Sequence, residues 1–229
     1  MGSGSRSLDP VFLSGLAAEL KEIHDLGVEM ALVVGGGNIF RGLSASGENA
    51  PGQSSGGARR RVRGDHMGML ATVINALALE NALEEVGVPA RVQTGLAMPQ
   101  VAERFSQRQA VEHLEQGRVV IFGAGTGNPY FSTDTAAGLR ALEIGADLLL
   151  KGTKVDGVYD SDPVANPTAI RYAHLTYAEV LSRGLRVMDL TAISLCQENR
   201  LPIHVFSIVE RGVLTSIFRG APLGTIIGG

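Results

Sequence analysis

The sequence has no tryptophan, a single cysteine and few aromatic residues of any kind. Among its 229 residues, Trp counts 0, Cys counts 1 and aromatic residues make up 5%. A lone cysteine, Cys196, excludes an intrachain disulfide framework and favours a reduced, cytoplasmic setting. With so few aromatic rings, the core must be built mainly from Ala, Val, Leu and Ile.

The sequence also lacks a strong net charge and any long apolar run. Lys and Arg number 20 and Asp and Glu 23, so the formal net charge is −3. This balance excludes the basic footprint of a dedicated nucleic-acid-binding protein. No apolar run approaches the ~18 residues that a membrane span requires, and the first ten residues lack the pattern of a secretory signal. We therefore expect a cytoplasmic protein with neither a membrane nor a nucleic acid as partner.

Strand and helix patterns alternate along nearly the whole chain. Strands are predicted at 28–34, 90–94, 118–122, 146–151, 203–207 and 224–227, and helices at 11–26, 67–86, 102–115, 135–144, 177–183, 191–199 and 212–219. Asp9 and Pro10 mark the start of the first helix, as an acidic N-cap followed by proline at the first helical position. This alternation is typical of an α/β fold with a mostly parallel sheet and helices on both faces. Because ligands bind outside the carboxyl ends of such strands, the residues that follow each strand are the candidates for a site.

The polar stretch 43–63 interrupts this pattern. It is rich in Gly and Ser, has no apolar period and ends in a run of arginines, so we predict a mobile loop. The arginine run that ends in Arg63 fits an anion-attracting lip, and a solvated charged loop is the alternative for Arg59–Arg61. No internal repeat and no clear linker divides the chain, which favours a single domain.

Three glycines follow the first predicted strand. Gly35, Gly36 and Gly37 allow backbone N–H groups to approach an anion closely, and Arg41 adds a guanidinium group suited to phosphate. The alternative is a tight turn, which would need only one glycine. The pattern favours phosphate binding, but it is not a Walker A loop because no Gly-Lys-Ser/Thr follows.

Two further motifs carry polar groups that suit a nucleotide. Asp65, in GDHMGM, lies at the predicted start of a helix, so its carboxylate can cap the helix or accept hydrogen bonds from ribose hydroxyls. The segment GTGNPYFSTD, residues 125–134, combines hydroxyl, amide and aromatic groups that can bind a nucleobase. Ser132, Thr133 and Asp134 are predicted to cap the following helix. An Asn-Pro turn with this helix cap is the alternative for the segment.

A fourth motif, KGTKVDGVYDSDP, occupies residues 151–163. Lys151 or Lys154 can neutralise the phosphates of ATP, Tyr159 can flank an adenine, and Asp162 can bind a ribose. Asp-Gly and Asp-Pro are also ordinary turn signals, so this motif by itself is not decisive.

Taken in order, GGGNIFRG, GDHMGM, GTGNPYFSTD, KGTKVDGVYDSDP and then Val-Met-Asp at 187–189 resemble the bacterial uridylate kinases, which belong to the amino-acid kinase fold family. The similarity runs from about Asp9 to Ile227, and TGNPYFSTD is its most specific part. The resemblance implies a three-layer αβα sandwich with a mostly parallel central sheet. It also implies one domain, 1–229, with a UMP side at roughly 1–145 and an ATP side at roughly 146–229.

The resemblance further implies a reaction and its setting. Such kinases transfer the γ-phosphoryl group of Mg-ATP to UMP, giving UDP and ADP, in the biosynthesis of pyrimidine nucleotides including CTP. The implied partners are UMP and ATP with Mg²⁺ as substrates, GTP and UTP as effectors, and further copies of the chain in a homohexamer. A metal site held by the protein is not implied.

Carried over by motif, the family pattern assigns roles to individual residues. UMP would be bound by Gly36, Asp65, Thr126, Gly127, Asn128, Pro129, Tyr130, Phe131, Ser132 and Thr133. ATP would be bound by Gly37, Arg41, Thr153, Tyr159 and Asp162, and the catalytic residues would be Asp134, Arg41 and Lys151. GTP would be bound by Arg91 and Arg118, although Glu84 stands where the resemblance suggests a histidine.

The beginning of the sequence departs from the family pattern. Similar kinases carry a strand followed by K-L-S-G-E, whose lysine binds phosphate, and nothing before Gly35 matches this string. We therefore expect the first strand to be absent, and we expect the chain as written to bind UMP weakly and to show almost no phosphoryl transfer. The alternatives are a catalytically impaired relative that binds a nucleotide or an oxoanion, and an amino-acid kinase that acts on a carboxylate or a carbamate.

Overall fold

The computed structural model describes residues 7–40 and 57–229. The chain forms two compact units that divide between Ala136 and Ala137. Arg41 and most of the predicted loop at 43–63 lie outside the described residues, so the predictions for them are not addressed by the structure.

The first unit is built on a parallel sheet. Its elements are α1 (Pro10–His24), β1 (Ala31–Val33), α2 (Gly57–Glu85), β2 (Ala90–Thr94), β3 (Glu103–Arg104), α3 (Gln107–Glu115), β4 (Val119–Gly123) and the first residues of α4 (Thr133–Glu143). The strand order is β1-β4-β2-β3, and all three pairings are parallel. Ile121 of β4 lies opposite Leu32 on one side and Val92 on the other. Every residue of β4 is buried, as expected for an inner strand of a parallel sheet.

Helices α1 and α2 pack against each other, and α2 also packs on β2 and β4. Helix α1 begins as the sequence predicts, because the side chain of Asp9 accepts hydrogen bonds from the backbone N–H groups of Val11 (3.0 Å) and Phe12 (3.3 Å). Pro10 occupies the first helical position, where its missing N–H group costs nothing.

Two predicted boundaries in this unit are wrong. The described part of α2 begins at Gly57, ten residues before the predicted start, so the arginine run is helical and does not belong to a loop. Arginine is a good helix former even where no apolar period is present. The predicted helix at 102–115 is instead the short strand β3 followed by α3.

The second unit combines parallel and antiparallel pairings. It contains the rest of α4, β5 (Leu149–Thr153), β6 (Val158–Tyr159), β7 (Arg171–Tyr172), β8 (His174–Leu175), α5 (Tyr177–Ser182), α6 (Leu190–Glu198), β9 (Ile203–Ser207), α7 (Val213–Phe218) and β10 (Thr225–Ile227). In the sheet β5-β9-β10-β8, only the pairing of β10 with β9 is antiparallel within the described residues. Strands β6 and β7 form a separate antiparallel ribbon. The two-residue strands β6, β7 and β8 were not predicted, because two residues are too few to show a period.

The core of the second unit surrounds Tyr177, Ile193, Ile203 and Ile227, all of which are buried. Cys196 belongs to the same cluster, and burial raises the pKa of its thiol to about 11. The thiol is therefore protonated at neutral pH and acts as a packing group.

No helix within the described ranges has the length and apolar character needed to cross a membrane.

Candidate functional site

A pocket with a volume of about 610 Å³ opens in the first unit. Three segments line it: the glycine loop after β1, the first half of α2, and the loop that connects β4 to α4. Among the residues predicted to bind UMP or ATP, those that line it are Gly36, Gly37, Asp65, Thr126, Tyr130, Phe131, Ser132 and Thr133. Gly127, Asn128 and Pro129 belong to the same loop but are not among the lining residues.

The glycine loop lies directly against α2. A turn closes it, because the backbone N–H groups of Ile39 and Phe40 donate to the carbonyl oxygen of Gly36 at 3.0 and 2.9 Å. A Cβ atom at position 36 would lie 2.7 Å from the carbonyl oxygen of Gly68 on α2. At Gly35 an added Cβ would meet only ordinary contact, 3.8 Å from Thr133 Oγ1. Packing therefore requires glycine at position 36 but not at position 35.

Asn75 holds this loop on α2, and sequence reasoning missed it. The side chain of Asn75 is fully buried. Its Nδ2 donates to the carbonyl oxygen of Gly35 and to Oδ1 of Asn38, both at 2.6 Å. Asn38 in turn donates to Asn75 Oδ1 at 3.0 Å. An asparagine inside the apolar run of a helix is a signal that could have pointed to Asn75, because a buried amide without hydrogen-bond partners is costly.

Asp65 does not cap a helix. It lies more than two turns inside α2, so the predicted capping role is wrong. Both of its carboxylate oxygens lie 2.9 Å from Arg61 Nε, and Oδ2 also accepts a hydrogen bond from the backbone N–H of Tyr130 at 2.8 Å. Asp65 therefore ties the loop after β4 to α2 at the edge of the pocket.

Arg61 differs in its contacts from its neighbours in the arginine run. It lines the pocket, and its guanidinium carbon lies 5.4 Å from the centre of the Tyr130 ring, a distance suited to a cation–π contact. Arg59 and Arg60 are exposed. Arg61 therefore lines the pocket and pairs with Asp65, whereas its two neighbours are solvated.

The loop between β4 and α4 has an unusual backbone. Ala124 and Tyr130 adopt left-handed conformations, with φ of 59° and 73°, which few non-glycine residues do. The side chains of Tyr130 and Phe131 remain 59% and 53% exposed, so their rings are available to a ligand. Gly127 packs backbone to backbone on Gly95, where a Cβ at 127 would lie 2.5 Å from the Gly95 carbonyl oxygen.

Ser132, Thr133 and Asp134 were predicted to cap the following helix together. In the structure the Ser132 hydroxyl accepts the backbone N–H of Thr135 at 3.0 Å, which is the geometry of an N-cap. Asp134 lies in the first turn of α4, where a carboxylate is favoured by the helix dipole.

The residues predicted to bind ATP lie in the second unit, apart from Gly37 and Arg41. Lys151 lies in the middle of β5, not at the end of its strand as predicted. The Thr153 hydroxyl donates to the Val155 carbonyl oxygen at 2.5 Å, and Asp162 Oδ1 accepts the backbone N–H of Val164 at 2.9 Å. These bonds are typical of ordinary turns, the alternative that the sequence left open.

Tyr159 is held by its own segment as well. Its hydroxyl donates to Asp156 Oδ1 at 2.5 Å, and this hydrogen bond raises the pKa of the Tyr159 phenol. Arg171 Nε lies 3.6 Å from the other oxygen of the Asp156 carboxylate. The phenol therefore stays neutral, with its ring fixed beside the turn that follows β5.

The two predicted effector residues lie outside the lining of the pocket. Arg91 donates to the Ala90 carbonyl oxygen at 2.6 Å and lies 3.9 Å from Glu84. Arg118 donates to His113 Nδ1 at 2.9 Å, and His113 Nε2 lies 2.9 Å from Glu103. Burial opposes ionisation of Glu103, but its hydrogen bonds from His113 and Gln93 outweigh burial and lower its pKa.

Comparisons with known proteins agree on one family. The sequence model described as "Amino acid kinase family" matches residues 2–207. A uridylate kinase of Magnetococcus marinus is 60% identical over 227 residues, which cover 99% of this chain and 90% of that protein. A uridylate kinase of Paramagnetospirillum magneticum is 55% identical over 227 residues, covering 99% and 91%.

Solved structures give the same result. A UMP kinase from Ureaplasma parvum aligns with a TM-score of 0.89 at 36% identity, covering 100% of this chain and 94% of that one. A UMP kinase from Bacillus anthracis aligns with a TM-score of 0.86 at 39% identity, covering 94% and 86%. These alignments confirm the α/β fold with a mostly parallel sheet that the sequence predicts.

Replacing Gly36 by Ala tests the contact between the glycine loop and α2. Because the new Cβ would collide with backbone, we expect Gly36→Ala to lower the free energy of unfolding by about 1–3 kcal/mol, as overpacking does. The matched control is Gly68→Ala, where an added Cβ meets nothing within 4 Å and the helix should gain about 0.5–1 kcal/mol. Urea unfolding measures both, and equal stability of Gly36→Ala and the wild type would contradict the contact.

Proposed function

The chain belongs to the amino acid kinase family, and within it to the uridylate kinases, and from this premise we propose that it transfers the γ-phosphoryl group of ATP to UMP, giving UDP and ADP. One observation carries the proposal. The pocket of the first unit is lined by eight residues that the family pattern assigns to the two nucleotides.

The chemistry of this pocket suits a nucleoside monophosphate. Its volume of about 610 Å³ lies within the usual range for small-molecule sites, ~300–1,000 Å³. The exposed rings of Tyr130 and Phe131 offer a surface on which a base can stack. Arg61 and the backbone of the glycine loop provide positive charge and donors for a phosphate. A carbamate or a simple carboxylate has no base for which two aromatic rings would be needed.

Asp65 is proposed to bind the ribose. An ionised carboxylate has about four lone-pair sites. Its contacts with Arg61 and with the Tyr130 N–H hold it in one orientation, and it can also accept a hydrogen bond from a ribose hydroxyl. The remaining proposed UMP residues are Gly36, Thr126, Gly127, Asn128, Pro129, Tyr130, Phe131, Ser132 and Thr133.

ATP is proposed to bind through Gly37, Arg41, Thr153, Tyr159 and Asp162. Lys151 and Arg41 would neutralise the charge on the transferred group, and Asp134 would orient these basic groups. Among the described residues, His, Cys, Asp and Glu form no cluster able to hold a metal ion. Mg²⁺ would therefore be held chiefly by the phosphates of ATP, as is usual for this ion at kinase sites, and would supply charge neutralisation during transfer.

The wider setting is proposed on the family resemblance. The enzyme would act in the cytoplasm, in the biosynthesis of pyrimidine nucleotides and of CTP, as a homohexamer. GTP would activate it through Arg91 and Arg118, and UTP would inhibit it. Arg91 lies 3.9 Å from Glu84, and Arg118 donates to His113, so a nucleotide would compete with a protein partner at either residue.

A substrate comparison tests the function. ADP formation is measured in a coupled assay with UMP, CMP, glutamate or carbamate as acceptor, for this chain and for a form extended upstream with the K-L-S-G-E segment. We expect UMP to be the preferred acceptor, because the chain belongs to the uridylate kinases and because glutamate and carbamate lack the base, the ribose and the phosphate that this pocket would bind. Faster turnover of glutamate or carbamate would contradict the proposal and favour another amino-acid kinase.

Asp134→Asn separates a catalytic role of Asp134 from a structural one. Asparagine fits the first turn of a helix but carries no charge to orient basic groups. We expect kcat to fall by roughly 10²–10³, the usual cost of losing one electrostatic group, while stability changes by less than about 0.5 kcal/mol. Ser132→Ala is the structural counterpart, because loss of its cap should cost about 1 kcal/mol. If Asp134→Asn loses as much stability as Ser132→Ala, the role of Asp134 is structural.

Arg118→Ala tests the effector assignment. Removing a charged donor from GTP should raise the GTP concentration needed for activation by about tenfold or more. Arg108→Ala is the control, since Arg108 lies on α3 with an exposed partner, Glu112. Activation by GTP at the wild-type concentration in Arg118→Ala would reject the assignment.

A further inference from the structure

Thr72 makes two hydrogen bonds at the back of the pocket, and the family pattern assigns no role to it. It lies on α2 and is 6% exposed. Its hydroxyl donates to the Met69 carbonyl oxygen at 2.7 Å and accepts the backbone N–H of Ala124 at 2.6 Å. The bond to Met69 is a common habit of helical threonine. Because that bond uses the only hydroxyl proton, the oxygen faces Ala124 as an acceptor.

Ala124 is where the chain leaves β4 and enters the loop that lines the pocket. Its φ of 59° is left-handed, a strained conformation that a non-glycine residue keeps only where its surroundings enforce it. Two contacts enforce the left-handed conformation of Ala124. The side chain of Ala124 is buried in a cluster with Met69 and Val73, and its N–H is held by Thr72.

The turn at Ala124 determines where the rest of the loop goes. The Ala124 carbonyl oxygen accepts the backbone N–H of Gly127 at 2.9 Å, and Gly127 is in turn packed on Gly95. Residues 126–133, five of which line the pocket, come directly after this turn in the chain. At the far end of the loop, Asp65 holds the N–H of Tyr130. Two side chains of α2 thus bind the backbone of this loop, Thr72 at Ala124 and Asp65 at Tyr130.

We infer that Thr72 is a positioning residue for UMP, because its hydroxyl holds the left-handed turn at Ala124 from which the nucleotide-binding loop is presented. This inference rests on the proposed function of the pocket. It requires the hydroxyl group of residue 72 and not only its size, so valine and serine at this position should behave differently.

The test compares Thr72→Val, Thr72→Ser and Thr225→Val with the wild type. Valine has the shape of threonine without the hydroxyl, whereas serine keeps the hydroxyl and loses a methyl group. Thr225 is the matched control in the second unit. It is fully buried, accepts the backbone N–H of Val158 at 2.9 Å and donates to the Tyr172 carbonyl oxygen at 2.5 Å.

Titration calorimetry gives the Kd for UMP, and initial rates give the KM for each substrate. Thr72→Val should raise the Kd and the KM for UMP on the order of tenfold, since a buried N–H loses its acceptor, while the KM for ATP stays within about twofold. Thr72→Ser should keep the Kd for UMP close to the wild-type value. Thr225→Val should lose comparable stability and leave the Kd for UMP unchanged.

Hydrogen exchange at the Ala124 amide, measured without any ligand, separates this inference from the proposed function. Faster exchange at this amide in Thr72→Val, with exchange at the wild-type rate in Thr72→Ser, supports the role of the hydroxyl. If the wild-type chain shows this pattern of variants but binds no UMP, the proposed function is wrong and the role of the hydroxyl stands. An unchanged Kd and unchanged exchange in Thr72→Val would overturn the inference. So would equal defects in the serine and valine variants, which would indicate a packing role for the methyl group.

Discussion

The close approach of helix α2 to the glycine loop is the constraint on which the pocket depends. The backbones at Gly36 and Gly68 come so near that residue 36 has no room for a side chain. At this distance, short side chains on α2 reach both loops directly. Asn75 binds the backbone of Gly35, Thr72 binds that of Ala124 and Asp65 binds that of Tyr130. One helix therefore positions two loops that are far apart in sequence.

In this arrangement a single side chain can both hold the backbone in place and face the pocket. Asp65 has a structural role through Arg61 and Tyr130, and the same contacts hold its carboxylate at the edge of the pocket. A group that is already oriented loses little entropy when a ligand binds, which is the general advantage of preorganisation. Phosphoryl transfer needs positioning and charge neutralisation more than a covalent nucleophile, so the loop geometry that Asn75 and Thr72 hold in place bears on the reaction.

The order of strands and helices could be predicted because strands such as β1 and β4 are short apolar runs that glycine or polar residues follow. Strand β2 was predicted at its observed bounds, and α1 was predicted from Asp9 and Pro10. The errors fall where local pattern is weak. The first turns of α2 carry arginines without an apolar period, and β3 has two residues. The first turns of α2 are helical because arginine is a good helix former, whereas β3 is defined by its pairing with β2.

The sequence by itself determined which residues can form the pocket, since the glycine loop and the segment 125–134 each follow a strand of one parallel sheet and must emerge at the same edge. It also determined the family, because the motifs occur together and in order. Only the tertiary structure decided which polar atoms already have partners, that Asp65 is no cap, and that Asn75 and Thr72 belong to the site. The physical reason is that their hydrogen bonds join residues 40, 52 and 65 positions apart, and no local pattern specifies a pairing over such distances.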